Sequence, residues 1–342
     1  MTRRTALAAP LLAALAAALP ALPARADALV DAVVDGVIQP RFDAFAAAAA
    51  DLARTAEDVC DPQSDRLRLA WNAAVDAWIP AQTFRMGPLE EEGRGLAIAF
   101  WPDPKGATPG ALRRVLAGDP SVYASAETYA DVSVAARGLY AIEALLYDPD
   151  LAATGAGAGA TCAVLRAQAG DLAATAAAVA ADWRDRFGAV MKTAGAEGNT
   201  RFLSAHEARQ ALFTALVTQL GFDAETRLGR PLGSIERPRP ARAESREAGR
   251  SLRNVTLSLA ANEQLARALA TERPELLWDY FAYAERVADR LGDPVFAGVE
   301  DPTGRMRVEE LKTAIERVHD DANDELAPML GVTSGFNALD GD

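Results

Sequence analysis

The chain has 342 residues, half of them hydrophobic, and 48 acidic against 35 basic side chains give it a formal net charge of −13. That balance excludes nucleic acid as a partner, because displacing phosphate counterions needs a basic footprint. With only two cysteines, a structural zinc site of four thiolates is excluded as well.

Arg3 and Arg4 open the chain, residues 6–22 are apolar, and Ala24-Arg25-Ala26 offers the small residues that a signal peptidase needs. Residues 1–26 therefore read as a signal peptide cleaved near Ala26, by the general or the twin-arginine route. Pro10, Pro20 and Pro23 argue against a retained membrane span, an uncleaved anchor being the alternative. The mature chain, expected in the periplasm with no stable membrane span, carries −16. That charge suits a soluble life and cationic or metal-containing ligands. In such an oxidising compartment Cys60 and Cys162 are expected to pair.

Abundant Ala, short β-branched runs and Gly/Pro clusters at intervals favour helix throughout. From Ala28 to about Val59, Leu29, Val33, Val37, Phe42, Phe45 and Leu52 recur at helical spacing, with Pro40 as a kink. A second helix starts at Ser64, its N-cap, and runs through Leu67, Trp71, Val75 and Trp78 toward Pro80. The stretch from Met86 to Pro104 is rich in turn residues, and loops of that length tend to carry function. Thr108 to Leu116 reads as a short helix and Ser121 to Tyr147 as one longer helix. The Ala/Gly run at 152–160 reads as a flexible linker. Beyond it, Leu165 to Met191, Asn199 to Leu220, Ser245 to Leu269, Pro274 to Leu291 and Arg307 to Leu330 read as helices. The expectation is an all-α fold of two tandem bundles, over 27–151 and 161–342, since each apolar stripe needs partners to cover it.

Four stretches resemble the imelysin family, the peptidase M75 type. Ala70-Trp71 through Trp78 to Met86-Gly87-Pro88 is similar to that family's paired-tryptophan helix and Phe-Gly-Pro turn, with Met86 replacing the usual aromatic. Phe100-Trp101-Pro102-Asp103 is similar to its Trp-Pro-Asp loop. Gly138-Leu139-Tyr140-Ala141-Ile142-Glu143 stands where the family carries Gly-x-His-x-x-Glu. Glu244-Ser245 and the terminal run from Gly335 to Asp342 complete the set. The resemblance implies two helical bundles related by internal duplication, and a place in the periplasm or on the cell surface. It also implies either metal-dependent peptidase activity or a part in iron uptake.

Tyr140 occupies the position of the family's histidine. Residues three apart share a helix face, so Tyr140 and Glu143 can meet at one site. A phenol with a carboxylate suits ferric iron or, as a single axial ligand, haem; zinc is less well matched. The alternative is that Tyr140 fills the site and Glu143 bonds Arg137 or a backbone group. His206-Glu207-Ala208-Arg209-Gln210 begins like a zinc-protease motif, but Gln210 stands where the second imidazole belongs. His206 and His319 read as surface or capping residues, and Asp320, Asp321, Asp324 and Glu325 as a solvated face lacking the spacing of a calcium loop. Trp71, Trp78, Trp183 and Trp278 fall on helical stripes and read as core.

The reading that follows is a non-catalytic binding or accessory component of iron or haem uptake, acting beside other periplasmic iron or haem proteins. Its ligand site is expected between the bundles: Tyr140 and Glu143 donate oxygen, Arg137 pairs charge, and Gly138 permits close backbone approach. Trp101, Asp103, Glu244 and Ser245 are expected to form the other walls. A metal-dependent peptidase, disfavoured by Tyr140, and a partner-binding protein without metal remain as alternatives.

Overall fold

Short polar side chains begin the helices. The Ser64 hydroxyl accepts from the Leu67 amide at 3.4 Å, the Ser204 hydroxyl accepts from that of Glu207 at 3.3 Å, and Asp301 accepts from those of Thr303 and Gly304. Each satisfies amides that a first turn leaves without a carbonyl partner. The computed structural model describes residues 27–152 and 157–333. The expected signal peptide, the middle of the expected linker and the terminal motif from Gly335 lie outside the described residues.

Among the described residues the fold is all-α, without a strand. The helices that position the site are α1 (Gln39–Asp58), α2 (Asp65–Ala81), α3 (Arg94–Ile98), α4 (Ala107–Ala117), α5 (Gly138–Tyr147), α6 (Gly157–Asp182), α7 (Ala205–Gly221), α8 (Ser251–Leu269), α9 (Leu277–Leu291) and α10 (Pro302–Asp321). α1 packs along both α2 and α6, and α5 closes against the same pair. In the second half α10 lies on α7 and α9, while α8 lies on α7, on α9 and across the seam on α2. Trp71, Trp78 and Trp183 are buried in the core that runs through both halves, whereas Trp278 is half-buried under the Arg267 guanidinium. Fully burying one large apolar side chain contributes ~1.5–3 kcal/mol, which is why these stripes choose one another.

Several boundaries differ from the sequence expectation. Pro40 lies inside a run that is helical from Ala28 to Asp58, directly after a π-helical turn over Val34–Ile38, the kind of local widening that accommodates a proline within a helix. The expected helix from Ser121 to Tyr147 is broken into short turns, because Ser125 and Thr128 cap each other and Gly138 takes φ +73°. Residues 157–160 of the expected linker are helical: they open α6, whose packing against α1 outweighs the backbone entropy of Gly157 and Gly159. The packing therefore does not divide at 152–160. Cys60 and Cys162 are joined by a disulfide, which ties the first turns of α6 to the segment just after α1.

Candidate functional site

The site begins with a glycine that has no alternative. At Gly138 a Cβ would lie 2.2 Å from the carbonyl oxygen of Ile98 and 2.3 Å from that of Ala97, so α5 can start directly beneath α3 only without a side chain. The close approach expected at Gly138 is thus to protein backbone rather than to a ligand. Arg137 departs from expectation too. Its Nε and Nη2 donate to Asp171 on α6 at 2.8 and 2.7 Å, a bidentate pair within the first half that turns the guanidinium away from Glu143.

Three and six residues further on, α5 turns its other face to the second half. The Tyr140 hydroxyl donates to Glu244 Oε1, and the Ser245 hydroxyl donates to Glu143 Oε2 at 2.9 Å. Four of the expected site residues therefore meet, and all four are buried. The helix spacing foretold the shared face of Tyr140 and Glu143, and the resemblance supplied Glu244-Ser245.

Two residues central to the cluster were not foreseen. α7 continues as a π-helical stretch, Phe222–Leu228, which carries Asp223 and Arg227 into the seam. π-helical insertions are rare and recur at functional positions. Arg227 Nε donates to Glu244 Oε2 at 2.7 Å and Nη1 to Asp223 Oδ1 at 2.6 Å. Asp223 also accepts from the Ser258 hydroxyl at 2.7 Å and from Gln219 Nε2 at 3.0 Å. The available signal was an Asp and an Arg four apart on a helix continuing from the apolar stripe of α7.

The electrostatics follow from burial and from Arg227, with the Arg85 guanidinium close enough to feel Tyr140, Glu244 and Asp223 and that of Arg250 to act on Glu143. Burial pushes the Glu143 carboxyl up to about 8, and Glu244 adds to the shift, against the Ser245 hydroxyl and the Ala248 amide. Glu143 is therefore protonated at neutral pH. Burial, then the Glu244 charge, raises the Tyr140 phenol well above its ordinary value. Burial alone would raise Glu244 as well, but the charge and hydrogen bonds of Arg227 outweigh it and hold Glu244 below the usual carboxylate range.

These donors do not fit a resident metal ion. The Tyr140 phenol is committed to Glu244, Glu143 is neutral, and Arg227 already supplies the positive charge between Glu244 and Asp223. Among the described residues no group of three or more His, Cys, Asp or Glu is placed to hold a cation. His206 is exposed in the first turn of α7, and Gln210 four residues on is engaged by the backbone of Thr333. His319 stands beside Asp320 at 3.1 Å.

The rim of the seam is aromatic. The Trp101 ring lies 5.8 Å from that of Phe222, edge to face, and 6.3 Å from that of Tyr140, with the Arg230 guanidinium 5.9 Å over it. Asp103 is not a wall of the cluster: its Oδ2 accepts from the Thr108 amide at 2.8 Å and caps α4. Burial would raise its carboxyl, but the Ala107 and Thr108 amides prevail and lower it. A cavity of about 460 Å³ opens between Thr83, Arg85 and Met86 of the first half and Phe202, Gln219 and Phe222 of the second. Another, of about 450 Å³, opens beside Arg230.

A profile of the imelysin family, peptidase M75, matches residues 38–322. Among solved structures, an imelysin-like protein from Psychrobacter arcticum 273-4 superposes with a TM-score of 0.73 at 18% identity, over 92% of this chain and 100% of that one. A protein provisionally described as an iron-regulated protein A precursor, from Parabacteroides distasonis ATCC 8503, superposes with a TM-score of 0.69 at 14% identity, over 86% of this chain and 92% of that one. Among curated proteins none matches in sequence. At these identities the superpositions speak for the fold.

Proposed function

The chain belongs to the imelysin family, and on that premise we propose that it is an exported, non-catalytic accessory protein of iron or haem handling. Its ligand is taken between the two halves at the accessible rim, not on the carboxylates buried in the joint. The observation that carries this reading is Arg227, gripped by Glu244 and Asp223 at 2.7 and 2.6 Å where the family's metal chemistry would need an empty donor set.

A catalytic metal keeps three protein ligands and an open position for water. Here the phenol donates to Glu244, Arg227 holds Glu244 and Asp223, and Glu143 accepts from the Ser245 hydroxyl. The joint is suited to holding two halves in register, and recognition falls to the seam's edge, where Trp101 stands. Export is supported by the disulfide between Cys60 and Cys162, which suits an oxidising compartment. Among the described residues no helix is long and apolar enough to cross a membrane. The iron assignment draws on the family and on the iron-regulated protein that shares the fold.

The test is a titration of the mature protein with zinc, ferric citrate and haem, beside an assay on an unfolded peptide. The expected result is no chelator-sensitive cleavage, no stoichiometric zinc binding, and saturable binding of ferric citrate or haem. Cleavage abolished by a chelator, or zinc affinity lost in Glu143→Gln, overturns the non-catalytic reading, and silence with both iron ligands overturns the iron assignment. Tyr140→His adds a comparison: zinc affinity that the natural chain lacks would mark position 140 as the place where metal binding was lost.

A further inference from the structure

In a chain whose formal net charge is −13, one concavity is basic. Arg230, Arg237, Arg239 and Arg242 line the cavity of about 450 Å³, with a single acid, Glu236, among them. None of the four guanidiniums makes an ion pair or donates a side-chain hydrogen bond to another described residue. Arg137, Arg227 and Arg305 each have a carboxylate partner. The Nε of Arg230 is buried without any acceptor, and its guanidinium is held below its ordinary range, first by burial and then by Arg242, against the weaker pull of the Asp103 charge. Four like charges with only Glu236 beside them and Asp103 behind Arg230 are costly unless something anionic joins them.

The arginines are also presented by a fixed turn. Gly233 takes φ +56°, and a Cβ there would lie 2.4 Å from the Arg237 carbonyl. Ser234 and Arg237 form an antiparallel bridge, and the Arg239 amide donates to the Pro231 carbonyl at 2.9 Å. From α10, Arg305 Nη1 donates to the carbonyls of Leu232 and Ser234 at 2.7 and 3.2 Å, so the turn is anchored to the second half. A site on anchored backbone loses little order when a ligand enters.

We propose that this concavity binds a small multivalent oxyanion, held by Arg230, Arg237, Arg239 and Arg242 through paired N–H donors. Guanidinium suits carboxylate and phosphate oxygens because its donors form a planar fork. A polymer such as nucleic acid is disfavoured, since the patch is a single cavity on a chain that is acidic overall. Resting on the iron-handling reading, the occupant is an anionic iron(III) chelate. Ferric iron takes hard oxygen donors, a polycarboxylate supplies them, and the protein then needs cations rather than metal ligands of its own. The buried joint lacks such ligands, and Trp101, beneath Arg230, adds an aromatic wall for the chelate's body.

Calorimetry of the mature protein at low ionic strength with citrate, pyrophosphate, acetate and ferric citrate tests this. Citrate or pyrophosphate is expected to bind one to one, at least tenfold tighter than acetate, and to weaken as salt rises. Arg237→Gln with Arg242→Gln, both at exposed positions whose loss leaves the core intact, is expected to lower that affinity more than tenfold without altering the thermal transition. No heat with either multivalent anion, or affinity unchanged in the double variant, overturns the site. Tighter pyrophosphate than citrate assigns a phosphate-type occupant and overturns the chelate. Citrate bound while ferric citrate is refused leaves the oxyanion site standing and removes iron from it. Failure of the iron reading is thus distinguishable from failure of the site.

Discussion

Arg137 and Arg227 both grip carboxylates, yet one ties the first half of the molecule to itself and the other ties the halves together. Arg137 sits at the start of α5, partly open to solvent, and meets Asp171 alone. Arg227 is fully buried and meets Glu244 and Asp223 together, with Tyr140 closing the far side of Glu244. The difference teaches that a motif's edge and a molecule's joint are separate things. Arg137 adjoins the family motif, whereas Arg227 balances the charge of the cluster that the motif enters. Its removal strips two buried acids of the one cation that hydrogen-bonds to both, leaving only the more distant Arg85 charge.

That contrast is most directly broken at Arg227. Arg227→Met is expected to destabilise the fold by about 3–5 kcal/mol, as loss of one partner from a buried ion cluster does, read as a fall in the urea midpoint. A loss no larger than that of Arg137→Met would erase the distinction. Gly138→Ala tests the seat of α5 rather than its charge. With φ at +73° and backbone oxygens where the methyl would go, it is expected to cost about 3 kcal/mol, and normal stability in that variant would mean α5 does not start beneath α3.

The protonated acid in the joint sharpens the comparison through pH. Glu143 is held at about 8 in the folded chain against an ordinary 4.5, so the folded state binds its proton more tightly. Its stabilising contribution is complete below about pH 4.5 and is lost progressively as pH rises to about 8, by up to about 5 kcal/mol. Urea unfolding at pH 5.5 and 8.5 should show the natural chain losing more stability over that interval than Glu143→Gln. Equal losses would place an ionised carboxylate at position 143.

Smaller effects remain. Tyr140→Phe removes one donor from Glu244 Oε1, which keeps Arg227 Nη2 at 3.3 Å, so about 1–2 kcal/mol is expected in thermal unfolding. Arg137→Met should cost least, about 1 kcal/mol, because Asp171 borders an open cavity where water can replace the guanidinium. A larger cost than that of Tyr140→Phe would reverse the ranking of edge and joint.

Local rules carried much of this from residues alone. The helical class followed from periodicity and from capping at Ser64, the burial of Trp71, Trp78 and Trp183 from their stripes, and the shared helix face of Tyr140 and Glu143 from a separation of three. The pairing of Cys60 with Cys162 followed from their number and the expected compartment. What the sequence left open was each group's partner. Arg137 was expected to pair charge at the ligand site, or to hold Glu143, and its partner Asp171 came into reach only where α6 crosses α5. Asp223 and Arg227 carry no signal in the sequence beyond a spacing of four, and a π-helical turn with the packing of α8 on it buries them. Periodicity is a property of neighbours in the chain, so it can be read there; burial and charge pairing depend on how helices cross, and crossing is settled only when every apolar stripe has found its cover.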